Sequence, residues 1–209
     1  MLFIIKLGDE KILDNVFDRQ EFEALQKQYG QDAQEKEVCL NLTNEKLFYE
    51  FKHNIENDRR GEVAFAVERA NGKIIVVRTS FYPEEIYRIP TGGINHGEDI
   101  IHALHREVKE ELGLETDIKR FLGVIKIIVS YGEQKIHFYS YIFWVMEKSG
   151  RLLADALEDE ISAYKEVDRQ QLKQVVNILN HFQGEWKDWC KFRAQTTAFI
   201  IDHISWKQQ

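Results

Sequence analysis

A mixed α/β fold is predicted from three observations: strand-like runs lie before and after one central helix, Asn71-Gly72 separates two of those runs, and capped helical periodicity returns near the C-terminus. The chain has 209 residues, 44% of them hydrophobic, enough for one main domain with a sizeable core. "MLFIIKLGDE" is an apolar run without a basic leader or a small-residue cleavage site, so it reads as a strand and not as a signal peptide. "FDRQEFEALQKQYG" (17 to 30) reads as a helix with Asp18 as N-cap and Gly30 at its stop. "EKLFYEFKHN" (45 to 54) alternates like a strand, and the polar "NIENDRRG" after it marks a boundary near residue 57.

"EVAFAVERANGKIIVVRTS" predicts a β-hairpin, with Asn71-Gly72 suited to a type I′ turn because both central residues of that turn need positive φ. A helix is expected from Glu98 to Leu112, stopped by Gly113. "FLGVIKIIVSYGEQKIHFYSYIFWVM" predicts two long strands around Gly132-Glu133, and "ISAYKEV" (161 to 167) a further short one. "DRQQLKQVVNILNHF" (168 to 182) has an Asp N-cap and helical spacing of Leu172, Val175, Val176 and Leu179. A last helix is expected over 185 to 206, where Trp186, Trp189, Phe192, Phe199 and Trp206 crowd together; such aromatics pack against the domain or against a partner copy in a homodimer. The expected division is an N-terminal α/β extension over 1 to 57, a central domain over 58 to 182 and a C-terminal helix over 183 to 209.

A formal net charge of −7 and a pI near 5.6 argue against binding the backbone of long DNA or RNA, and leave a small anionic ligand acceptable where a metal mediates. Cys39 and Cys190 are far apart and form neither a disulfide framework nor a zinc-ligand spacing, which fits a reducing cytoplasm. The longest apolar stretch, 138 to 146, is too short to span a bilayer as a helix, so no membrane partner is expected.

The chemistry concentrates in "PTGGINHGEDIIHALHREVKEELGL". On a helical wheel Glu107, Glu110 and Glu111 share one face, beside the apolar arc of Ile101, Leu104, Val108 and Leu112. Like charges at these spacings cost about 0.2–0.5 kcal/mol per pair, and carboxylates facing the negative end of the helix dipole about 0.3–1 kcal/mol each. A divalent cation would remove those penalties, and magnesium suits a site that supplies a few hard oxygen ligands and leaves positions for water and phosphate. The Gly92-Gly93 pair lets backbone approach a ligand closely.

From Gly92 the spacing to Glu98, Arg106-Glu107, Glu110-Glu111, Gly113 and Leu114 matches GX5EX7REUXEEXGU, with U aliphatic, at every specified position: the segment resembles the Nudix box. The flanking strands agree with that family's architecture over about residues 60 to 182. The resemblance implies an α/β/α sandwich around a mixed β-sheet, and a Mg2+- or Mn2+-dependent hydrolase that cuts a nucleoside diphosphate linked to another moiety. Carried over by position, Glu110 and Glu111 would be the main metal ligands, Glu107 a ligand or water activator, and the Thr91 main-chain carbonyl a further ligand. Arg106 would hold the glutamates by ion pairing, and Glu98 would support the loop containing Gly92 and Gly93. Family members often supply one more glutamate before a late strand, where Glu160 is preferred here over Glu158. Arg88 and Tyr87 precede the box as candidate contacts for a phosphate or a base, with ordinary strand positions as the alternative.

His102 and His105 point away from Glu107 and Glu110 and read as surface or packing residues, as does His96 in the glycine loop. Tyr131 lies where dinucleoside polyphosphate hydrolases of the family carry a tyrosine, so that subclass is the first alternative function. A non-catalytic nucleotide-sensing module is the second, and the intact set of glutamates favours the enzyme.

Overall fold

The computed structural model describes residues 17–156 and 160–206. The expected strand over the first ten residues, and Glu158, lie outside the described residues. Among the described residues thirteen successive segments carry the fold: α1 (Arg19–Tyr29), β1 (Gln34–Asn41), α2 (Glu45–Asn57), β2 (Arg59–Glu68), β3 (Ile74–Thr79), β4 (Thr91–Asn95), α3 (Ile100–Glu107), a π turn (Val108–Leu112), β5 (Leu114–Tyr131), β6 (Gln134–Gly150), β7 (Ile161–Val167), α4 (Arg169–His181) and α5 (Lys187–His203).

The strands form one mixed sheet in the order β1-β5-β6-β2-β3-β7, with β4 added beside β2. Two pairs are parallel, β1 with β5 and β2 with β6, and the others are antiparallel. Alternation along each strand sends side chains to two separate cores. Ala64, Ala66, Ile74, Val76, Ile125 and Ile127 face the layer of α2, α4 and α5, whereas Val63, Phe65, Val67, Ile75 and Val77 face α1, α3 and the π turn. The result is an α/β/α sandwich.

Two local expectations are corrected. Residues 45–54 form the first part of α2 and not a strand. Strand alternation would bury Leu47, Tyr49 and Phe51 together, but Phe48 and Ile55 are buried with Leu47 and Phe51 packed beside them, a helical stripe that leaves Tyr49 exposed. Asn44 caps the helix by accepting from the Leu47 N–H at 3.2 Å. The second correction concerns Asn71-Gly72: Gly72 has φ 79° but Asn71 does not reach positive φ, so the turn is not type I′. Arg69 donates its N–H to Lys73 O at 2.9 Å and Gly72 to Arg69 O at 2.8 Å, a three-residue loop ending in a left-handed glycine.

That loop leaves β2 and β3 paired only at Glu68 and Ile74. The strands then diverge, and the chain after β3 fills the gap. Val77 and Arg88 exchange backbone hydrogen bonds of 2.8 and 3.0 Å, the Phe65 N–H donates to Pro90 O at 3.1 Å, and β4 continues along β2 from Ala64 opposite Thr91 to Arg59 opposite Asn95. Residues 88–95 are thus wedged into a fork of the sheet.

The strand β1 has no counterpart among the elements expected from sequence, because QEKEVCLN is mostly exposed and carries little periodic signal. It enters the sheet beside β5, and α5 pins the link from β1 to α2. Asp188 of α5, 3% exposed, accepts from the Thr43 N–H at 2.6 Å, the Thr43 hydroxyl at 2.9 Å and the Asn44 N–H at 2.9 Å at the start of α2. Asp188→Ala leaves these donors without their acceptor and is expected to cost about 2–4 kcal/mol. Urea unfolding measures it, and an unchanged midpoint would show that this pin contributes nothing.

Candidate active site

The box segment is built by local capping and a change of helical winding. Asp99 opens α3 by accepting from the N–H groups of Ile101 and His102 at 2.9 and 3.0 Å. After Glu107 the helix widens into a single π turn, a distortion that recurs at functional sites. Gly113 ends it with φ 72°, and a Cβ there would overlap the backbone of Asp155 and Ala156, so only glycine fits. Ala103, Leu104, Val108 and Leu112 are buried against the sheet, with Ile101 at the margin.

Arg106 is the centre of the polar face. Its Nε and Nη2 donate to the two Glu98 oxygens, its Nη1 to Glu107 Oε1 and Glu110 Oε2, and its Nη2 also to the Gly93 carbonyl, each at 2.8 Å. Glu98 further accepts from the Asn95 N–H at 3.0 Å and lies 2.9 Å from His102 Nδ1. The Arg106 hydrogen bonds, with those of Asn95 and His102, hold the Glu98 carboxyl down at about 2. The same bonds raise the proton affinity of Arg106. Gly92 lies against Glu107 so closely that a Cβ would overlap that side chain, so glycine lets β4 and α3 meet here.

Glu107 and Glu111 are both buried, each 9% exposed, while Glu110 is half-buried. Burial pushes the Glu111 carboxyl up to about 8, against the attraction of Arg88, and the neighbouring charge of Glu107 adds to the rise. Its Oε2 is buried with no hydrogen-bond partner among the described residues. Glu160, exposed just before β7, also acts on the Glu111 charge. Thr91 is buried on β4, where its hydroxyl takes a 3.3 Å hydrogen bond from Arg88 Nη1.

Other sequence candidates lie elsewhere. His102 and His105 are exposed, and His96 meets the Ile55 carbonyl at 3.0 Å, bridging to α2 the turn that follows β4; Gly92 and Gly93, expected in a loop, lie within β4 itself, paired with Val63 and Glu62 of β2. Tyr87 is buried beneath Lys165, whose Nζ is 3.9 Å from the ring centre. Tyr131 packs near Phe48, 6.1 Å between ring centres, at the hairpin end of β5. Arg193 of α5 carries no signal in the sequence: it lies far downstream of the box, and only the packing of α5 on the sheet brings it near Arg88 and Glu111.

Among the described residues no three His, Cys, Asp or Glu side chains are gathered so as to hold an ion as they stand. Arg106 draws Glu98, Glu107 and Glu110 around itself instead. The donors nonetheless fit a hard divalent cation, being carboxylate oxygens, with the orphaned Oε2 of Glu111 buried beside Glu107.

A family model described as NUDIX domain matches residues 58–190. The chain is 39% identical over 68 residues to Nudix hydrolase 2 of Arabidopsis thaliana, an alignment covering 31% of this chain and 24% of that protein's length. It is 27% identical over 127 residues to an RNA pyrophosphohydrolase of Campylobacter jejuni, covering 53% of this chain and 74% of the relative. Among solved structures, a NUDIX hydrolase from Nitrosomonas europaea aligns with a TM-score of 0.45 at 17% identity, over 64% of this chain and 86% of the other.

The Glu111 geometry has a pH consequence. The folded chain keeps the Glu111 proton up to about 8 and the unfolded chain releases it near 4.5, so the folded state binds the extra proton between those values and stability falls as pH rises through them. Glu111→Gln should flatten that slope and raise stability at pH 8 by roughly 1–3 kcal/mol. The thermal midpoint measured against pH in EDTA tests this, and an equal slope in both proteins would assign the titration to other groups.

Proposed function

The chain belongs to the Nudix family, and from that membership we propose that it is a divalent-metal-dependent pyrophosphohydrolase. Its substrate is a nucleoside diphosphate linked to another moiety. The observation that carries this reading is the orphaned, buried oxygen of Glu111 beside Glu107 and the Arg106 cluster. A carboxylate retained in such a position costs about 1–3 kcal/mol for packing alone, a cost that a cation would offset.

Nudix family members generally need divalent metal ions. In this reading Glu110 and Glu111 are the main ligands, with Glu107, the Thr91 carbonyl and Glu160 as further oxygens, and the metal is Mg2+ or Mn2+. Bound there, such a cation would neutralise charge on the pyrophosphate and favour deprotonation of the attacking water. The protein's own groups do the rest. Arg106 keeps Glu107 and Glu110 from drifting apart, so that a carboxylate is oriented to take the proton of the attacking water. Glu98 anchors Arg106 from the other side, and the Gly93 carbonyl fixes the guanidinium to β4, so that strand and the acids are held together as one unit. Cytoplasmic location is part of this proposal; among the described residues, no helix is long and apolar enough to cross a membrane.

The test is to incubate the protein with Mg2+ or Mn2+ and a panel of nucleotide sugars, dinucleoside polyphosphates, nucleoside triphosphates and capped RNA, reading products by mass. EDTA should abolish cleavage and added metal restore it. Glu110→Gln should lower turnover by roughly 10²-fold or more with the thermal midpoint kept. An unchanged rate would remove Glu110 from the site.

A further inference from the structure

A second cationic centre lies beside the acids. Arg88, 6% exposed, donates through Nη1 to the Ile89 carbonyl at 3.1 Å and to Thr91 Oγ1 at 3.3 Å. Its Nε is buried without a partner, and no carboxylate is bonded to it among the described residues. Arg193 reaches the same region from α5. Its Nη1 donates to Glu62 Oε2 at 2.7 Å, its Nε is likewise buried without a partner, and its guanidinium lies 4.9 Å from the Phe192 ring centre and 5.4 Å from that of Trp189. Tyr82 packs on Trp189 at 4.1 Å, completing an aromatic wall that holds the Arg193 fork in place.

The anchors of the two guanidiniums share one face of the sheet: Arg88 bonds Thr91, which lies opposite Ala64 on β2, and Arg193 bonds Glu62, two residues along the same strand. Burial foremost, and then the charge of Arg193, lowers the proton affinity of Arg88, while Glu111 and Glu62 act in the opposite sense. Both arginines also act on Glu111. Among the described residues only one carboxylate is hydrogen-bonded to either of them, Glu62, and its other oxygen accepts from the Ser140 hydroxyl at 2.7 Å. Two cations in a low-dielectric setting, each with a buried Nε that has no partner among the described residues, are poorly explained by packing, because buried donors are ordinarily satisfied. An oxyanion would satisfy them, and the planar fork of arginine suits phosphate.

We propose that Arg88 and Arg193 form a phosphate-binding pair that receives a phosphate of the diphosphate substrate beside Glu111. Arg193 lies beyond the family-matched stretch, which ends at residue 190, so the pair joins the segment leading into the box to the C-terminal helix. The identity of the ligand as substrate rests on the function proposed above; the capacity of the pair to bind phosphate does not.

Inorganic pyrophosphate in EDTA is the probe, with binding read by calorimetry, so that neither metal nor turnover enters the readout. Because Arg193→Gln alone strands the Glu62 charge, the informative variant is the double substitution Glu62→Gln with Arg193→Gln, compared with Arg88→Gln and Arg193→Lys. The wild type should bind pyrophosphate. The double variant, with its thermal midpoint retained, and Arg88→Gln should each bind at least about tenfold more weakly, while Arg193→Lys keeps part of the affinity. On the substrate found by the panel, KM should rise more than kcat falls. A folded double variant that binds pyrophosphate as tightly as the wild type, or a wild type that does not bind it, overturns the pair. Pyrophosphate held by the arginines in a protein that cleaves nothing on the panel would instead overturn the proposed activity and leave the pair standing.

Discussion

One guanidinium organises this molecule's polar centre. Arg106 bonds Glu98, Glu107, Glu110 and the Gly93 carbonyl, joining a helix, the loop before it and a strand. Each bond is charge-assisted or made to a backbone carbonyl whose position the sheet already sets, so the side chain loses little further freedom by making all of them. Three carboxylates around one cation still leave an excess of negative charge, and Glu111 lies next to that excess without a hydrogen bond to Oε2. The cluster is therefore rigid but not neutral, a combination suited to receiving another cation.

Comparison with the other buried acids shows why Glu111 differs. Glu62 is satisfied by Arg193 and Ser140, and Glu68 by Lys119 at 2.8 Å and the Trp144 indole at 2.8 Å. Each of those carboxylates lies on the sheet face shared with α5, where a partner projects toward it. Glu111 lies off the π turn on the opposite layer, and the nearby guanidiniums act on it through space without a bond. An unsatisfied buried carboxylate costs about 1–3 kcal/mol, against a total stability on the order of 5–15 kcal/mol, a substantial sacrifice for a group with no other use.

Most of the architecture is legible in the sequence because it is written in local signals. Asp18, Asp168 and Gly113 mark helix ends as their residue types predict, and the Gly132-Glu133 turn joins β5 to β6 with Tyr131 opposite Gln134. The failures have physical causes. Residues 45–57 hold an apolar pattern compatible with either period over a short window, and the helix is decided by Asn44 and by Asp188, far away in sequence. The polar β1 owes its conformation to β5 beside it. At Asn71 local turn preference loses to the demand that β2 and β3 separate after Glu68, since β4 has to enter between them.

The same distinction between local and distant information separates the chemistry from the choice of substrate. Most of the residues proposed to hold metal fall within one strand and one helix, and their spacing alone brings them together. Binding of a substrate has no such constraint, since any element that reaches the fork of the sheet can contribute to it. Here α5 reaches it, placing Arg193 over an aromatic wall of Trp189 and Phe192. Asp188, earlier on the same helix, holds the start of α2, so the contact that stabilises the N-terminal half also sets the position from which Arg193 projects. A change in how α5 docks would alter stability and the surface proposed to receive phosphate together, while leaving the spacing of the glutamates untouched.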